Sequence, residues 1–374
     1  MTRPMLYLVA GARPNFMKLA PLVRALDARR GDVDYRIVHT GQHYDREMSD
    51  VFFDELGIPQ PHHHLGAGGG THAEQTARVM LAFEQLCLQA KPSAVVVVGD
   101  VNSTLACSIV AKKLCLPVAH VEAGLRSGDE RMPEEINRVV TDAISDWFFV
   151  TEPSGEQNLL REGHPSRKIH HVGHVMADNV LYQRDMLDRH PSGDATLSAY
   201  KATHGRYGVV TLHRPSNVDD AAAFTRIAQA LAEVSRTLPL VFPVHPRTRA
   251  NLDKFGIDLG EHITLLPPLA YMPFLDLWKD AAVVLTDSGG LQEETTSLGV
   301  PCLTLRENTE RPITVSEGTN VLVGSDPRRI VDEVAAVLDG RGKQGRRPAL
   351  WDGRAAQRIA DTLVRELAQM NNQE

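Results

Sequence analysis

The sequence predicts an α/β protein with two doubly wound parallel sheets. Short apolar segments of strand length alternate with amphipathic segments of helix length along most of the chain, as is typical of βαβ units. The alternation stops at a polar stretch over 189–206 and then starts again. The length of 374 residues suits two domains, since a domain averages about 150 residues. We therefore expect two sheets, each covered by helices on both faces.

The first half of the chain supplies five predicted strands and four predicted helices. The strands are expected at 5–10, 35–39, 94–98, 118–120 and 147–150. Apolar residues at helical spacing predict helices at 16–29, 74–89, 102–114 and 135–144.

The second half repeats the pattern after a boundary near 175–205. Its strands are expected at 207–211, 240–244, 263–265, 282–286 and 302–305. Its helices are expected at 221–238, 271–279, 291–298 and 329–338. A low-hydrophobicity segment at 340–348 precedes a final helix at 355–370, which could close either domain.

Composition and charge favour a small-molecule function. The net charge is -7, the sequence pI is about 6.1, and no basic block occurs, which disfavours nucleic acid and anionic membranes as partners. No apolar run approaches the roughly 20 residues of a membrane span. Four scattered cysteines favour a reducing compartment, so we expect a cytoplasmic protein.

Candidate site residues lie in turns that follow predicted strands, because ligands of open parallel sheets bind beyond the carboxyl ends of the strands. The first such turn begins at Gly11 and carries Arg13 and Lys18. It could bind an anion at the start of the next helix, or it could be a plain βα turn with solvated basic side chains. The dinucleotide fingerprint G-x-G-x-x-G and the P-loop motif do not occur.

The turn after the predicted strand 282–286 resembles a diphosphate cradle. Ser288, Gly289 and Gly290 stand where a helix should begin, so backbone N–H groups and the positive end of the helix dipole are accessible. Glu294 lies about one helical turn further and could accept hydrogen bonds from a ribose diol. The alternative is a helix that Ser288 simply caps, although two glycines would weaken such a helix.

Acidic residues form the most specific pattern. Asp100 and Glu122 follow two successive strands, and Glu134 and Glu135 open the next helix. Carboxylates on one rim of the sheet could divide acid and base roles. Glu134 and Glu135 could equally serve as favourable charges at a helix N-terminus.

Histidine and arginine follow two strands of the second half. His213 and Arg214 end one strand and His245 ends the next; histidine could carry a proton and arginine could bind phosphate. The run His62-His63-His64 points in different directions and lacks an acidic partner at ligand spacing, so we predict a loop without metal.

Taken in order, these motifs resemble the non-hydrolysing UDP-N-acetylglucosamine 2-epimerases. The shared segments begin at Gly11, Thr40, Gly99, His120, Pro133, Thr211 and Asp287, and they span essentially the whole chain. The resemblance implies the GT-B fold, with two Rossmann-like domains facing across a cleft. It assigns the sugar side to 1–178 and UDP binding to 179–354, with the final helix 355–374 crossing back to the first domain. It also implies a homodimer that needs no cofactor and no metal.

The resemblance implies interconversion of UDP-GlcNAc and UDP-ManNAc, by anti elimination of UDP to 2-acetamidoglucal and re-addition of UDP. The implied catalytic residues are Asp100, Glu122, Glu134 and His213. The implied substrate-binding residues are Arg13, Lys18, Arg138, Arg214, His245, Ser288, Gly289, Gly290, Glu294 and Arg311.

Other functions share parts of this pattern. The short link Ser127–Met132 resembles the related branch that acts on UDP-2,3-diacetamido-2,3-dideoxy-uronic acids. The chain also departs from the family at Ser216, where members commonly carry glutamate. A hydrolysing 2-epimerase would share nearly every residue. A GT-B glycosyltransferase would share the diphosphate cradle but would not need three carboxylates. A non-catalytic nucleotide-sugar binder would not need Glu122.

Overall fold

Both predicted sheets are present in the computed structural model of the chain, which describes residues 3–41 and 53–371. The described residues within 1–179 and 349–374 form one compact unit, here unit 1, and residues 180–348 form unit 2. The predicted α/β class with two parallel sheets is confirmed. Gln42 and His43, in one of the shared segments, lie outside the described residues.

The sheet of unit 1 has seven strands in the order β3-β2-β1-β4-β5-β6-β7, and all their pairings are parallel. The strands are β1 (Met5–Ala10), β2 (Asp34–His39), β3 (His63–His64), β4 (Ala94–Val98), β5 (Val118–Val121), β6 (Trp147–Val150) and β7 (Ile169–His171). Every residue of β4 is buried, which explains its unbroken apolar sequence.

The sheet of unit 2 has six strands in the order β10-β9-β8-β11-β12-β13, again paired in parallel. The strands are β8 (Gly208–Thr211), β9 (Leu240–Pro243), β10 (Ile263–Leu266), β11 (Val283–Thr286), β12 (Cys302–Thr304) and β13 (Asn320–Leu322).

Helices connect the strands of both units. They are α1 (Arg13–Asp27), α2 (His72–Gln89), α3 (Asn102–Lys113), α4 (Pro133–Ile144), α5 (Pro153–Arg161), α6 (Val175–Arg189), α7 (Ala195–His204), α8 (Pro215–Val218), α9 (Ala221–Ser235), α10 (Pro246–Phe255), α11 (Tyr271–Trp278), α12 (Gly289–Leu298), α13 (Pro312–Ser316), α14 (Pro327–Leu338) and α15 (Ala355–Asn371). Within the described ranges, no helix combines the length and the apolar content needed to cross a lipid bilayer.

The last helix, α15, packs in unit 1. Ile359 and Leu363 are buried in the core that also holds the apolar face of α1. The Asp178 carboxylate accepts hydrogen bonds from the backbone N–H groups of Ala355 and Ala356, at 3.2 and 2.7 Å. A residue distant in sequence therefore supplies the N-terminal cap of this helix.

Two sequence predictions need correction. His63 and His64 form the short edge strand β3, paired with Val38 and His39 of β2, rather than a loop; two polar residues carry no strand periodicity. The polar stretch 189–206 contains α7, which Asp194 caps by accepting from the Leu197 N–H at 3.1 Å. Only Leu197 and Tyr200 of α7 are buried, so no apolar stripe marked this helix.

Each sheet reverses its strand order at one point. In unit 1 the reversal lies between β1 and β4, and in unit 2 it lies between β8 and β11. The connections on the two sides of a reversal leave on opposite faces of the sheet, which opens a crevice at the carboxyl ends of the two strands. The turns after these four strands carry most of the predicted site residues.

Candidate active site

A buried asparagine fixes the turn between β1 and α1. The Asn15 Oδ1 atom accepts hydrogen bonds from the N–H groups of Gly11 and Ala12, at 3.1 and 2.9 Å. Its Nδ2 atom donates to the Val98 carbonyl at 3.2 Å. Asn15 thus joins the ends of the two strands that flank the reversal. Arg13 is exposed on the first turn of α1.

Glu122 is the most enclosed carboxylate among the predicted catalytic residues. It directly follows β5, its side chain is only 3% exposed, and it forms an ion pair with Lys18 from α1. The Nδ1 atom of His174 lies 3.8 Å from its Oε1 atom. An ammonium favours the charged carboxylate, which is the form that accepts protons. The structure therefore brings Lys18 and Glu122 together as one pair, in which Glu122 is buried and Lys18 is partly buried.

The backbone at Glu122 is strained. Its φ angle is +70°, a left-handed conformation that costs a non-glycine residue on the order of 1–3 kcal/mol. The Phe149 carbonyl accepts from the N–H groups of Glu122 and Ala123 at 3.0 and 3.2 Å and holds the turn. A Cβ atom on Gly124 would lie 2.3 Å from the Gly155 carbonyl oxygen, so this close packing requires glycine.

Asp100 follows β4 and forms an ion pair with Arg138 of α4. Arg138 also contacts Glu135 at 2.5 Å. Glu135 accepts from the N–H groups of Ser127 and Gly128 at 3.0 Å. Burial raises the pKa of Glu135, but these N–H groups and Arg138 outweigh burial and leave the pKa lowered. Glu135 is thus a structural anion that holds the guanidinium against Asp100.

Glu134 lies apart from these pairs. It is exposed on the first turn of α4, and none of the ion pairs formed by the described residues includes it. The structure therefore joins Asp100 with Arg138 and Glu122 with Lys18, and it leaves Glu134 facing solvent.

The fully buried pair of His120 and Asp142 supports the turns that follow β4 and β5. The His120 Nδ1 atom lies 2.6 Å from Asp142 Oδ1, and its Nε2 atom lies 2.8 Å from the Gly99 carbonyl oxygen. Asp142 also accepts from the Gly124 N–H at 3.0 Å and pairs with Arg126 at 2.7 Å. Burial raises the pKa of Asp142, but His120 and Arg126 outweigh it and lower the pKa.

In unit 2, Asp287 organises the reversal between β8 and β11. Its carboxylate accepts from the backbone N–H groups of His213 and Arg214, at 3.0 and 2.9 Å, and from Asn217 Nδ2 at 3.2 Å. The His213 Nδ1 atom lies 2.9 Å from Asp287 Oδ1. Arg214 Nε donates to the Asp287 carbonyl at 3.0 Å. The predicted His213 and Arg214 are therefore held by one aspartate.

His245 is the exposed N-terminal cap of α10. Its Nδ1 atom accepts from the Arg247 N–H at 3.3 Å. The ring centroids of His245 and His213 lie 6.5 Å apart, so the two predicted histidines are neighbours.

The start of α12 offers backbone donors to an anion. Ser288 occupies the N-cap position, but its side chain makes no capping hydrogen bond, and Gly289 and Gly290 begin the helix. The first N–H groups of any helix lack partners within the helix. Close by, Glu310 pairs with Arg306 at 2.8 Å and lies 3.7 Å from Arg214. Although burial raises the pKa of Glu310, these cations lower it to about 2.

Glu294 lies in the middle of the same helix, α12, and is buried. The Tyr271 hydroxyl donates to its Oε1 atom at 3.2 Å. Burial raises the pKa of Glu294 to about 8, and the neighbouring Glu293 adds to the effect. Glu293 itself pairs with Arg311 at 2.5 Å. Among the described residues, no group of three or more histidine, cysteine, aspartate or glutamate side chains could hold a metal ion.

Comparison with known proteins identifies the family. Residues 24–364 match the model of the UDP-N-acetylglucosamine 2-epimerase family. The chain belongs to this family. A UDP-N-acetylglucosamine 2-epimerase from Methanocaldococcus jannaschii is 41% identical over 91% of this chain and 97% of that protein. A UDP-2,3-diacetamido-2,3-dideoxy-D-glucuronate 2-epimerase from Pseudomonas aeruginosa is 40% identical over 96% of this chain and 98% of that protein.

Solved structures of 2-epimerases confirm the predicted GT-B class. The Methanocaldococcus jannaschii UDP-GlcNAc 2-epimerase in complex with UDP-GlcNAc and UDP has a TM-score of 0.82 and 39% identity, covering 96% of this chain and 99% of that one. The Neisseria meningitidis enzyme bound to UDP-GlcNAc has a TM-score of 0.83 and 28% identity, covering 96% and 100%. The prediction that the chain is an enzyme of the epimerase type is confirmed.

Several organising residues were not singled out from the sequence. His120 and Asp287 each begin a shared segment, but nothing in the sequence assigns either of them a role. Asp142, Glu310 and Tyr271 carry no motif that separates them from ordinary helix or loop residues. Their contacts depend on strand order, which the sequence pattern does not fix.

We expect Asp142→Asn to lower the free energy of unfolding by about 3–5 kcal/mol, because it removes the anion from the buried contact with His120 and from the pair with Arg126. Urea unfolding followed by circular dichroism measures the change. Asp129→Asn is the control, since Asp129 forms an exposed pair with Arg131 and should contribute much less. Equal losses in the two variants would contradict a supporting role for the His120–Asp142 pair.

Proposed function

We propose that this chain interconverts UDP-N-acetylglucosamine and UDP-N-acetylmannosamine by inverting C2 of the sugar. The buried Lys18–Glu122 pair after β5 carries the proposal, because it supplies an enclosed carboxylate in a chain of the 2-epimerase family. Asp100, held by Arg138 after β4, supplies a second acidic group. Unit 1 accordingly carries the proton chemistry of the sugar.

The proposed reaction proceeds by elimination and re-addition. The bond from C1 to the diphosphate oxygen breaks, and C1 gains oxocarbenium character that acidifies the C2–H bond. A carboxylate takes the C2 proton, and a double bond forms between C1 and C2 to give 2-acetamidoglucal. Protonation of C2 on the opposite face and return of the diphosphate oxygen to C1 complete the inversion. We assign C2 proton transfer to Glu122 and Asp100, and we keep Glu134, exposed on α4, as a further proposed catalytic carboxylate.

Unit 2 is proposed to hold UDP throughout this cycle. The backbone N–H groups of Gly289 and Gly290 would bind the diphosphate. Ser288, whose own N–H donates to Thr286 Oγ1 at 3.0 Å, would contribute its hydroxyl, and Glu294 would accept from the ribose diol. His213 would protonate or stabilise the leaving diphosphate. Arg13, Lys18, Arg138 and Arg214 are assigned to sugar and phosphate contacts, and His245 and Arg311 to the nucleotide side. Water must be excluded, because hydrolysis at C1 would end the cycle.

The enzyme in D2O with UDP-GlcNAc is expected to produce UDP-ManNAc with deuterium at C2, observed by proton NMR. Glu122→Gln should abolish turnover, because an amide cannot take the proton, while UDP affinity by calorimetry stays near the wild-type value. Glu130→Gln is the control, since Glu130 is an exposed neighbour outside the proposed site.

Three outcomes would count against this assignment. Release of free UDP and free ManNAc in equal amounts would assign the chain to the hydrolysing class. Turnover that survives in Glu122→Gln would remove Glu122 from the chemistry. UDP binding without turnover of UDP-GlcNAc would favour a different sugar.

The second candidate substrate is a UDP-2,3-diacetamido-2,3-dideoxy-uronic acid. The observation that favours it is the 40% identity to the Pseudomonas aeruginosa enzyme of that name, close to the identity with the GlcNAc enzymes. The short link Ser127–Met132 also resembles that branch. The same NMR experiment with the uronic acid substrate separates the two, because the preferred substrate has the higher kcat/KM.

We expect UDP affinity to rise with pH from about 7 towards 8 and then to level off. The raised pKa of Glu294, about 8, means that the carboxyl must lose a proton before it can accept from two ribose hydroxyls. Below that pKa, binding therefore releases a proton, and affinity rises by up to about tenfold per pH unit. Calorimetry in buffers of different ionisation enthalpy measures the release. Glu294→Gln should lose this component, and an unchanged pH profile in that variant would contradict the role.

The proposed active form is a homodimer in the cytoplasm. The free cysteines of the chain suit a reducing compartment.

The proposed dimer face carries large apolar side chains that are exposed on α2 and α4, namely Leu81, Leu88, Ile136, Val139 and Val140. Residues of these two helices, including Met80 and Ile136, line a cavity of about 540 Å³. In a two-fold dimer, the same face of each copy packs against that face of the other. We propose that the apolar face of α2 and α4 forms this interface.

Ile136→Asp should convert the dimer to a monomer, because it places a charge in the apolar face. Light scattering coupled to size exclusion measures the mass. Leu160→Asp on α5 is the matched control, since Leu160 is similarly exposed, at 45%, but lies off α2 and α4. A wild-type chain that elutes as a monomer at micromolar concentration would contradict the proposal.

A further inference from the structure

The Asp287 side chain is fully buried at the end of β11 and surrounded by hydrogen-bond donors. Its Oδ2 atom accepts from the N–H groups of His213 and Arg214 and from Asn217. Its Oδ1 atom faces His213 Nδ1 at 2.9 Å. Burial raises the pKa of Asp287, but the contacts with His213 and Arg214 outweigh it and lower the pKa. Asp287 is therefore an ionised acceptor towards His213.

An ionised carboxylate can only accept hydrogen bonds, so the proton of this contact must lie on His213 Nδ1. In the neutral ring, Nε2 then carries the lone pair, and in the imidazolium Nε2 carries the proton that can be given away. The His213 side chain is 45% exposed, so the ring remains accessible to a ligand although one edge is fixed.

The neighbouring His245 is arranged in the opposite way. Its Nδ1 atom accepts from the Arg247 N–H, so the neutral ring carries its proton on Nε2. Two histidines whose centroids lie 6.5 Å apart are thus set as opposite tautomers. Neutral His245 can donate a hydrogen bond from Nε2, whereas His213 of this pair has the Asp287 carboxylate against its Nδ1 atom.

We propose that Asp287 is a positioning residue that holds His213 as the Nδ1–H tautomer and stabilises the imidazolium that protonates the leaving diphosphate. The tautomer of His213 follows from the hydrogen bonds that the Asp287 carboxylate accepts. The second part of the proposal, the stabilised imidazolium, rests on the proposed function, because it takes His213 as the proton carrier for the diphosphate.

Asp287→Asn tests this proposal with little change in shape. With its amide oxygen at the Oδ2 position, the asparagine keeps the three hydrogen bonds that Oδ2 accepts from His213, Arg214 and Asn217. It loses only the longer bond, of 3.2 Å, from the His213 N–H to Oδ1. Its amide N–H₂ then faces His213 Nδ1 and donates to it. The ring is forced into the Nε2–H tautomer, and the stabilising negative charge is lost.

Nitrogen-15 NMR of the unliganded enzyme reads the tautomers directly, with His213 assigned by comparison with His213→Gln. In the wild type we expect a protonated Nδ1 for neutral His213 and a protonated Nε2 for His245, which serves as the internal control. In Asp287→Asn, His213 should switch and His245 should not. A wild-type His213 protonated on Nε2 overturns the proposal, and this result is obtained even if the variant fails to fold.

Kinetics with a double-mutant cycle test the catalytic part. We expect Asp287→Asn to lower kcat by about 10²-fold, the lower end for loss of a general acid, with KM changed little. Adding it to His213→Gln should cause no further loss, because Asp287 acts through His213. Losses that multiply would overturn the positioning role. If the wild type turns over neither candidate sugar, the proposed function fails, while the NMR result still decides the tautomer.

Discussion

The reversal of strand order within each parallel sheet is the constraint on which the site depends. At a reversal, two adjacent strands send their connections to opposite faces, so the turns at their carboxyl ends separate and need a link. In unit 1 the link is Asn15, which ties the turn after β1 to the Val98 carbonyl of β4. In unit 2 it is Asp287 after β11, which holds His213 and Arg214 after β8. The hydrogen bonds of Asn15 and Asp287 that link the strands at each reversal therefore also position the candidate catalytic side chains.

The His120–Asp142 pair extends this support beyond the reversal in unit 1. His120 lies on β5 and contacts the Gly99 carbonyl next to Asp100, while Asp142 lies on α4, which also carries Arg138. One buried pair thus connects three elements that carry predicted catalytic groups. Burying such a pair adds little net stability compared with apolar packing, but removing one partner is strongly destabilising. Its value lies in fixing the relative position of the carboxylates.

The sequence predicted the fold well because buried parallel strands leave continuous apolar runs, such as β4, and amphipathic helices leave a stripe. It failed where these signals are absent, as in the two-residue β3 and the weakly amphipathic α7. For the candidate site, strand-end motifs led to the prediction of Asp100, Glu122, His213 and Glu294. The sequence could not show that Glu134 faces solvent and Glu135 faces inward, because adjacent residues on a helix differ by about 100° in direction. Contacts such as Asp287 with His213 join residues 74 positions apart, and only the strand order makes them neighbours.

Most charged groups of the candidate site are already paired before a substrate arrives. Glu122 is paired with Lys18 and Asp100 with Arg138, while Arg214 lies near Glu310 and Arg311 contacts Glu293. In the proposed function, a bound diphosphate would compete with carboxylates for Arg214 and Arg311 or use the backbone donors of α12. Donors fixed by the fold need no reorganisation when charge develops on the leaving oxygen. Such an arrangement suits the proposed reaction, in which UDP leaves C1 and returns to it, because donors fixed at the start of α12 would keep the departed anion in place.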